Sequence, residues 1–226
     1  MNILFRMEKG IAVCLFSSFL VLACVNHIPG EKAAGSNGDI PLKFTADIHE
    51  VTYTRVAGNG FEENDEVGVF ALVGSSTMKE ERYADNLRFF RTSEKVFESS
   101  EPIYYPDDEV TLRLISYYPY QEEGVNMGES TMSVAVETDQ NLSAGYFCSD
   151  FLVASQNLQS APKGAIALHY DHKFFKLKIA LVGKEGEELQ GILDADPKLS
   201  VCGFYTKAIY DFQKETYSAF SNEKSI

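Results

Sequence analysis

The side chains able to do chemistry are few and scattered. His169, Asp171 and His172 fall in one short run. A two-histidine metal site needs both rings on one side, as at i and i+4 of a helix. Along a strand, i and i+3 point to opposite faces, so this spacing argues for ordinary strand histidines. Glu62-Glu63-Asn64-Asp65-Glu66, Asp107-Asp108-Glu109 and Glu122-Glu123 are acidic clusters. They lack the alternating carboxylates, central glycine and terminal glutamate of a calcium loop, and read as solvated turns. Cys148 and Cys202 show neither CxxC spacing nor a local histidine. Two separate buried thiols are the preferred reading, although export would allow a bond between them. No GxSxG, phosphate loop or dinucleotide fingerprint is present, and neither an enzyme nor a metal is expected. Tyr104, Tyr105, Tyr117, Tyr118 and Tyr120 crowd together with Pro106 and Pro119. Such rings stack on sugars, which makes Tyr117, Tyr118 and Tyr120 candidate ligand-facing aromatics. Tyr is equally at home in half-buried strands, and with no Trp in the chain that structural use is preferred.

One further thiol sits in a more informative setting. Arg6 and Lys9 precede an almost wholly apolar run over residues 11–23. A membrane span needs about 20 residues, so residues 1–23 read as a secretion signal. The run ends in Val21-Leu22-Ala23-Cys24, which resembles the lipobox of bacterial lipoproteins. That resemblance implies diacylglycerol on the Cys24 thiol, cleavage before Cys24 and acylation of the new amine. Several acyl chains give a stable anchor, since each buried methylene contributes about 0.8 kcal/mol. The lipid on Cys24 is the only non-protein group expected, and no cofactor is. Residues 24–40, rich in Gly, Ala, Asn and Ser, read as a flexible tether. The net charge of −13 disfavours nucleic acid as a partner.

Beyond the tether the pattern is β. Leu42, Phe44 and Ala46 alternate with Lys43, Thr45 and Asp47. Residues 51–56 follow, and Gly58-Asn59-Gly60 marks a turn. Residues 66–73 form a continuous apolar strand. Residues 110–118 alternate, with Val110, Leu112, Leu114 and Ser116 on one face. Residues 87–91, 95–97, 131–136, 151–154, 165–169 and 174–182 complete the set. Short strands with turn signals about every 8–12 residues predict an antiparallel β-sandwich over residues 41–185. Residues 184–197 are charged and read as a boundary or long loop. Residues 199–205 and 208–212 look like two more strands. Roughly 35 residues cannot bury a core alone, so residues 186–226 are expected to form an incomplete second β domain or an extension.

Several blocks share an order and spacing. They are Phe61 with Asp65-Glu66-Val67-Gly68-Val69-Phe70, and Tyr83, Asn86, Phe89 and Phe97 before Pro102-Ile103-Tyr104-Tyr105-Pro106. Then come the strand ending in Tyr117-Tyr118-Pro119-Tyr120, Asp150-Phe151-Leu152-Val153-Ala154, and Ile166 and Leu168 before His172-Lys173-Phe174-Phe175. Together, over residues 41–212, they resemble the Bacteroidales-type fimbrillin-like (Mfa-like) family. The resemblance implies transthyretin-like, Greek-key sandwich domains and a lipoprotein precursor of a pilus subunit, carried to the outer membrane and exposed on the cell surface. It further implies that a trypsin-like protease cuts after Arg or Lys and releases the first strand. The groove left behind accepts a strand from the next subunit by β-augmentation. Carried onto this chain, residues 41–48 are the candidate first strand, with Leu42, Phe44 and Ala46 in the core, and Arg55 is the candidate processing residue. The expected partners are other fimbrial subunits, the outer membrane through the lipid, and a host or bacterial surface ligand. Family members usually continue through a full second domain. A shortened subunit, a terminal or anchoring subunit and a piece of a longer frame all remain open for this sequence. The alternative function is a non-polymerising surface lipoprotein that binds glycan or a host ligand through its tyrosines.

Overall fold

The computed structural model describes residues 40–49, 60–106, 110–140, 148–175, 177, 179, 182, 189–194, 199–224 and 226. Among them the elements are β1 (Phe44–Ile48), β2 (Glu66–Val73), β3 (Ala84–Arg91), β4 (Phe97–Glu98), β5 (Leu112–Tyr118), β6 (Thr131–Ala135), β7 (Leu152–Leu158), β8 (Ile166–His172), α1 (Leu189–Asp194), β9 (Phe204–Asp211) and β10 (Thr216–Lys224). Among the described residues the fold is predominantly β.

Seven strands close into a barrel-like sheet in the order β1-β4-β3-β2-β5-β7-β8, where the sequence suggested a two-sheet sandwich. Six of the seven contacts around the ring are antiparallel; β1 and β8 are parallel and close it. A three-stranded sheet, β10-β9-β6, makes the second layer. Alternation along each strand fills the barrel. Val67, Val69 and Ala71 of β2, Leu112 and Leu114 of β5, and Ile166, Leu168 and Tyr170 of β8 point inward. Ser116 is also internal, and its hydroxyl lies 2.6 Å from that of Tyr170.

The opposite face of β2, β5 and β7 is buried as well. Phe70, Leu72, Ile115, Tyr117 and Val153 form a second core with Met132 and Val134 of β6 and Ala208 and Tyr210 of β9. This explains the continuous apolar run of β2, which lies between two cores and has no solvent face. It also means that residues 204–212 share a core with the barrel, and that β6 is hydrogen-bonded to β9 across the boundary expected near residue 185.

Two clamps secure this second layer. The Arg82 side chain is wholly buried. It donates to the carbonyls of Met78 at 2.9 Å, Val125 at 2.8 Å, and Asn126 and Glu129 at 2.9 Å each, and it pairs with Asp85. Its guanidinium sits 5.2 Å over the Phe70 ring. A buried cation is tolerated only when its donors are satisfied in this way. Asn86 donates to the Gln121 carbonyl at 2.9 Å and accepts from the Tyr117 hydroxyl at 2.7 Å. Gly68 permits the close approach of the Tyr117 ring, because a Cβ there would lie 2.2 Å from a ring carbon.

Several local expectations differ from the structure. Residues 199–205 and 208–212 are not two strands: a single strand, β9, runs through Phe204–Asp211. Residues 216–224, which carry no apolar alternation, form β10, an edge strand exposed along nearly its whole length. Hydrophobic periodicity cannot mark a strand that buries neither face. Cys148 and Cys202 are exposed, not buried, and are not joined in a disulfide.

Candidate functional site

The leading strand is the point where the barrel closes, and its sequence explains how. Leu42 and Phe44 are 5% and 1% exposed, and Ala46 and Ile48 pack partly buried against the same core. Thr45 and Asp47 alternate with them and face solvent. Phe44 stacks on Phe97 with centroids 5.0 Å apart and meets Phe89 at 5.1 Å. Phe61 sits edge-on to Phe97 at 5.2 Å and to Tyr170 at 5.0 Å. The lining of the β1 position is therefore aromatic and built from β3, β4 and β8.

Backbone bonds fix the strand on both sides. β1 pairs in parallel with β8 from Phe44↔Ile166 to Ile48↔Tyr170. The Ile166 amide donates to the Lys43 carbonyl at 2.8 Å, and the His49 amide to the Tyr170 carbonyl at 2.9 Å. On the other side the Leu42 amide donates to the Ile103 carbonyl at 2.8 Å, and Lys43 pairs with Glu98 at 2.6 Å. Without β1, two strand edges and an apolar trough would be uncovered together.

The outer face of the seam was not foreseen from sequence. His49 Nδ1 lies 2.8 Å from Asp171, and the His49 and His169 rings stack at 5.7 Å. His169 Nδ1 is 3.9 Å from Asp47. His172 points the other way and meets Asp150 at 2.7 Å with 9% of its side chain exposed. The opposite facing of His169 and His172 follows from strand alternation. Among the described residues no three His, Cys, Asp or Glu side chains converge as a metal site.

The other predicted site residues divide. Cys24 and Arg55 lie outside the described residues. Tyr117 is a core residue with no exposure, so it does not face a ligand. Tyr118 is half-buried against Phe61 at 5.4 Å. Burial pushes its hydroxyl well above the usual range, and the charges of Asp65, Cys148 and Asp150 act in the same direction. Burial likewise raises the Asp65 carboxyl, against the opposing hydrogen bond from the Glu62 amide. Tyr120 is half-buried with the Arg88 guanidinium 5.9 Å over its ring. The tyrosine run is thus divided between a core, a packed layer and a rim, and does not form one flat platform.

Comparison with known proteins gives a consistent picture. The "Putative fimbrium subunit Fim1C" of Bacteroides uniformis is 23% identical over 214 residues, covering 91% of this chain. The chain spans 65% of that relative's own length. The crystal structure of a "putative cell adhesion protein" from Bacteroides uniformis superposes with a TM-score of 0.58 at 19% identity, over 82% of this chain and 68% of the other. A second protein so described, from Bacteroides ovatus, gives 0.52 at 14% identity, over 82% and 70%. At these identities the structural matches establish a shared fold. The fimbrillin-like family model matches residues 54–226, and the chain therefore belongs to the fimbrillin-like family.

Proposed function

We propose that this chain is a surface fimbrial subunit or pilus-associated adhesive lipoprotein that assembles by strand addition after proteolysis removes β1. In this reading Cys24 carries lipid and anchors the precursor to the outer membrane. Cleavage after Arg55 then separates residues up to 55, including Leu42, Phe44 and Ala46, from the remainder. The reading takes the closed sheet as a bent form of the family's transthyretin-like sandwich, and residues 186–226 as part of a second β unit.

The observation that carries the proposal is the position of β1. It is short, sits at the ring's parallel junction, and holds an aromatic side chain among Phe89 and Phe97. Phe61, Phe89 and Phe97 all lie after Arg55 in sequence, so the apolar lining would stay with the processed subunit. An extended strand from another subunit would regain the backbone bonds and refill the trough. The burial of Tyr117 removes one of the rings on which a sugar-stacking function was drawn, and nothing else favours that alternative.

The test is native proteolysis of the full chain with a trypsin-like protease, followed by N-terminal sequencing and electron microscopy. A new terminus at Val56 and the appearance of filaments are the expected results, both lost in Arg55→Gln. An intact Arg55 bond under conditions that cut an unfolded control would contradict the processing step.

A further inference from the structure

Exposure of large apolar side chains is lopsided in this molecule. Ten are exposed among the described residues, and all but Ile40 and Met127 lie between Phe175 and Phe220. Charge is lopsided too. Residues 173–226 hold eight lysines against eight carboxylates, so the whole net charge of −13 belongs to residues 1–172.

Sheet β10-β9-β6 brings the two features together. Its inner face is used by the second core. By strand alternation and register, its outer face carries Tyr205, Lys207 and Ile209 of β9 opposite Ser133 of β6 and Glu223 of β10. Tyr205 is 56% exposed on this face; Phe220, 57% exposed, lies in the irregular part of β10, with its ring 6.1 Å from Tyr205 and 6.4 Å from Tyr217. Lys207 and Glu223 are exposed charges of opposite sign on this face, while Asp211, further along it, is nearly buried and pairs with Lys214 at 3.5 Å. The outer edge of β10, unpaired among the described residues, is unsuited to an added strand: its register shifts between Ser218 and Ser221, and Ala219 and Asn222 have φ of 50° and 58°. Bulges of this kind turn an edge away from flat pairing. What the surface fits is a facing sheet.

We propose that the outer face of β10-β9-β6 is a self-association surface that packs on the same face of a second copy. A two-fold axis makes such a contact isologous, so residue i meets j and j meets i. Lys207 of each copy then faces Glu223 of the other, and Tyr205, with Phe220 beside it at the β10 bulge, supplies aromatic contact of the type that dominates interfaces. Two sheets would sit about 10 Å apart. A strongly acidic chain repels its own copies through most of its surface; this neutral face is where two copies can meet without that opposition. The contact is separate from the β1 trough and does not require strand exchange.

The experiment is sedimentation velocity on the detergent-solubilised full chain carrying Arg55→Gln, so that the leading strand stays attached. The wild-type face should give a concentration-dependent dimer below about 100 μM. Phe220→Ser and Lys207→Glu should each weaken it by about tenfold or more, and Glu223→Lys added to Lys207→Glu should restore it. Lys207 is exposed, so the charge variants report on association even where Phe220→Ser perturbs folding. A monomer at about 100 μM, or a dimer indifferent to the charge reversal and its restoration, overturns the proposal.

Discussion

Truncating Phe44 asks how much of the hold on β1 comes from one inward side chain. Phe44 is 1% exposed and touches two aromatic partners, Phe97 at 5.0 Å and Phe89 at 5.1 Å. Removing a buried phenylalanine costs about 3–5 kcal/mol, and losing the ring pairs puts this site near the middle of that range or above. A loss of about 4 kcal/mol raises an open population about a thousandfold. Thr45, on the same strand but facing water, is the internal control, and Thr45→Ala should change stability by less than about 0.5 kcal/mol. Amide hydrogen exchange reads the result directly. The Ile166 and His49 amides bond across the β1–β8 seam, so their exchange in Phe44→Ala should accelerate far more than that of the amides linking β2 to β5. Acceleration below about tenfold, or equal acceleration in Thr45→Ala, would refute the claim that inward packing holds the strand. Equal acceleration in all strands would show that β1 opens only with the whole domain.

Arg82→Lys should be severe, because one ammonium cannot reach the four carbonyls and Asp85 that the guanidinium serves; a cost of about 3–5 kcal/mol is expected in a denaturant titration. Gly68→Ala should lower the melting temperature and free the Tyr117 hydroxyl from Asn86, since the new methyl group would lie 2.2 Å from a ring carbon; overpacking of this kind costs about 1–3 kcal/mol. Burial works to raise the Asp211 carboxyl, but the Gln213 and Lys214 amides that donate to it hold it below the usual range overall. Its contribution to stability is therefore present above the unfolded carboxylate value of about 4 and lost as pH falls through the lower folded value. Asp211→Asn should accordingly melt below wild type at neutral pH, with the gap closing in acid.

Local pattern made much of this fold legible. Alternation placed Leu112, Leu114 and Ser116 on one face of residues 110–118, and all three point into the barrel. The same alternation placed Leu42, Phe44 and Ala46 together on the core side of β1. What alternation cannot carry is the identity of the partner strand. The parallel pairing of β1 with β8 joins residues more than a hundred positions apart, and no local signal announces it. Nor can one sequence show that the second face of β2 and β5 is covered by β6 and β9; without that layer Tyr117 stays among the candidate ligand-facing rings, even with the structural use preferred. The Arg82 and Asn86 clamps were missed for a related reason. Most of their acceptors are backbone carbonyls of residues 121–129, which leave no trace in side-chain composition.

The most direct measurement is of the trough itself. After protease treatment and removal of the leading strand, a fluorescent peptide spanning residues 40–49 should bind the processed chain saturably. The same peptide with Phe44→Ala should bind about a hundredfold more weakly or worse, as for truncation of a central aromatic anchor. A processed chain that binds neither peptide, or both equally, would contradict the account of β1 as a removable strand whose groove selects its replacement.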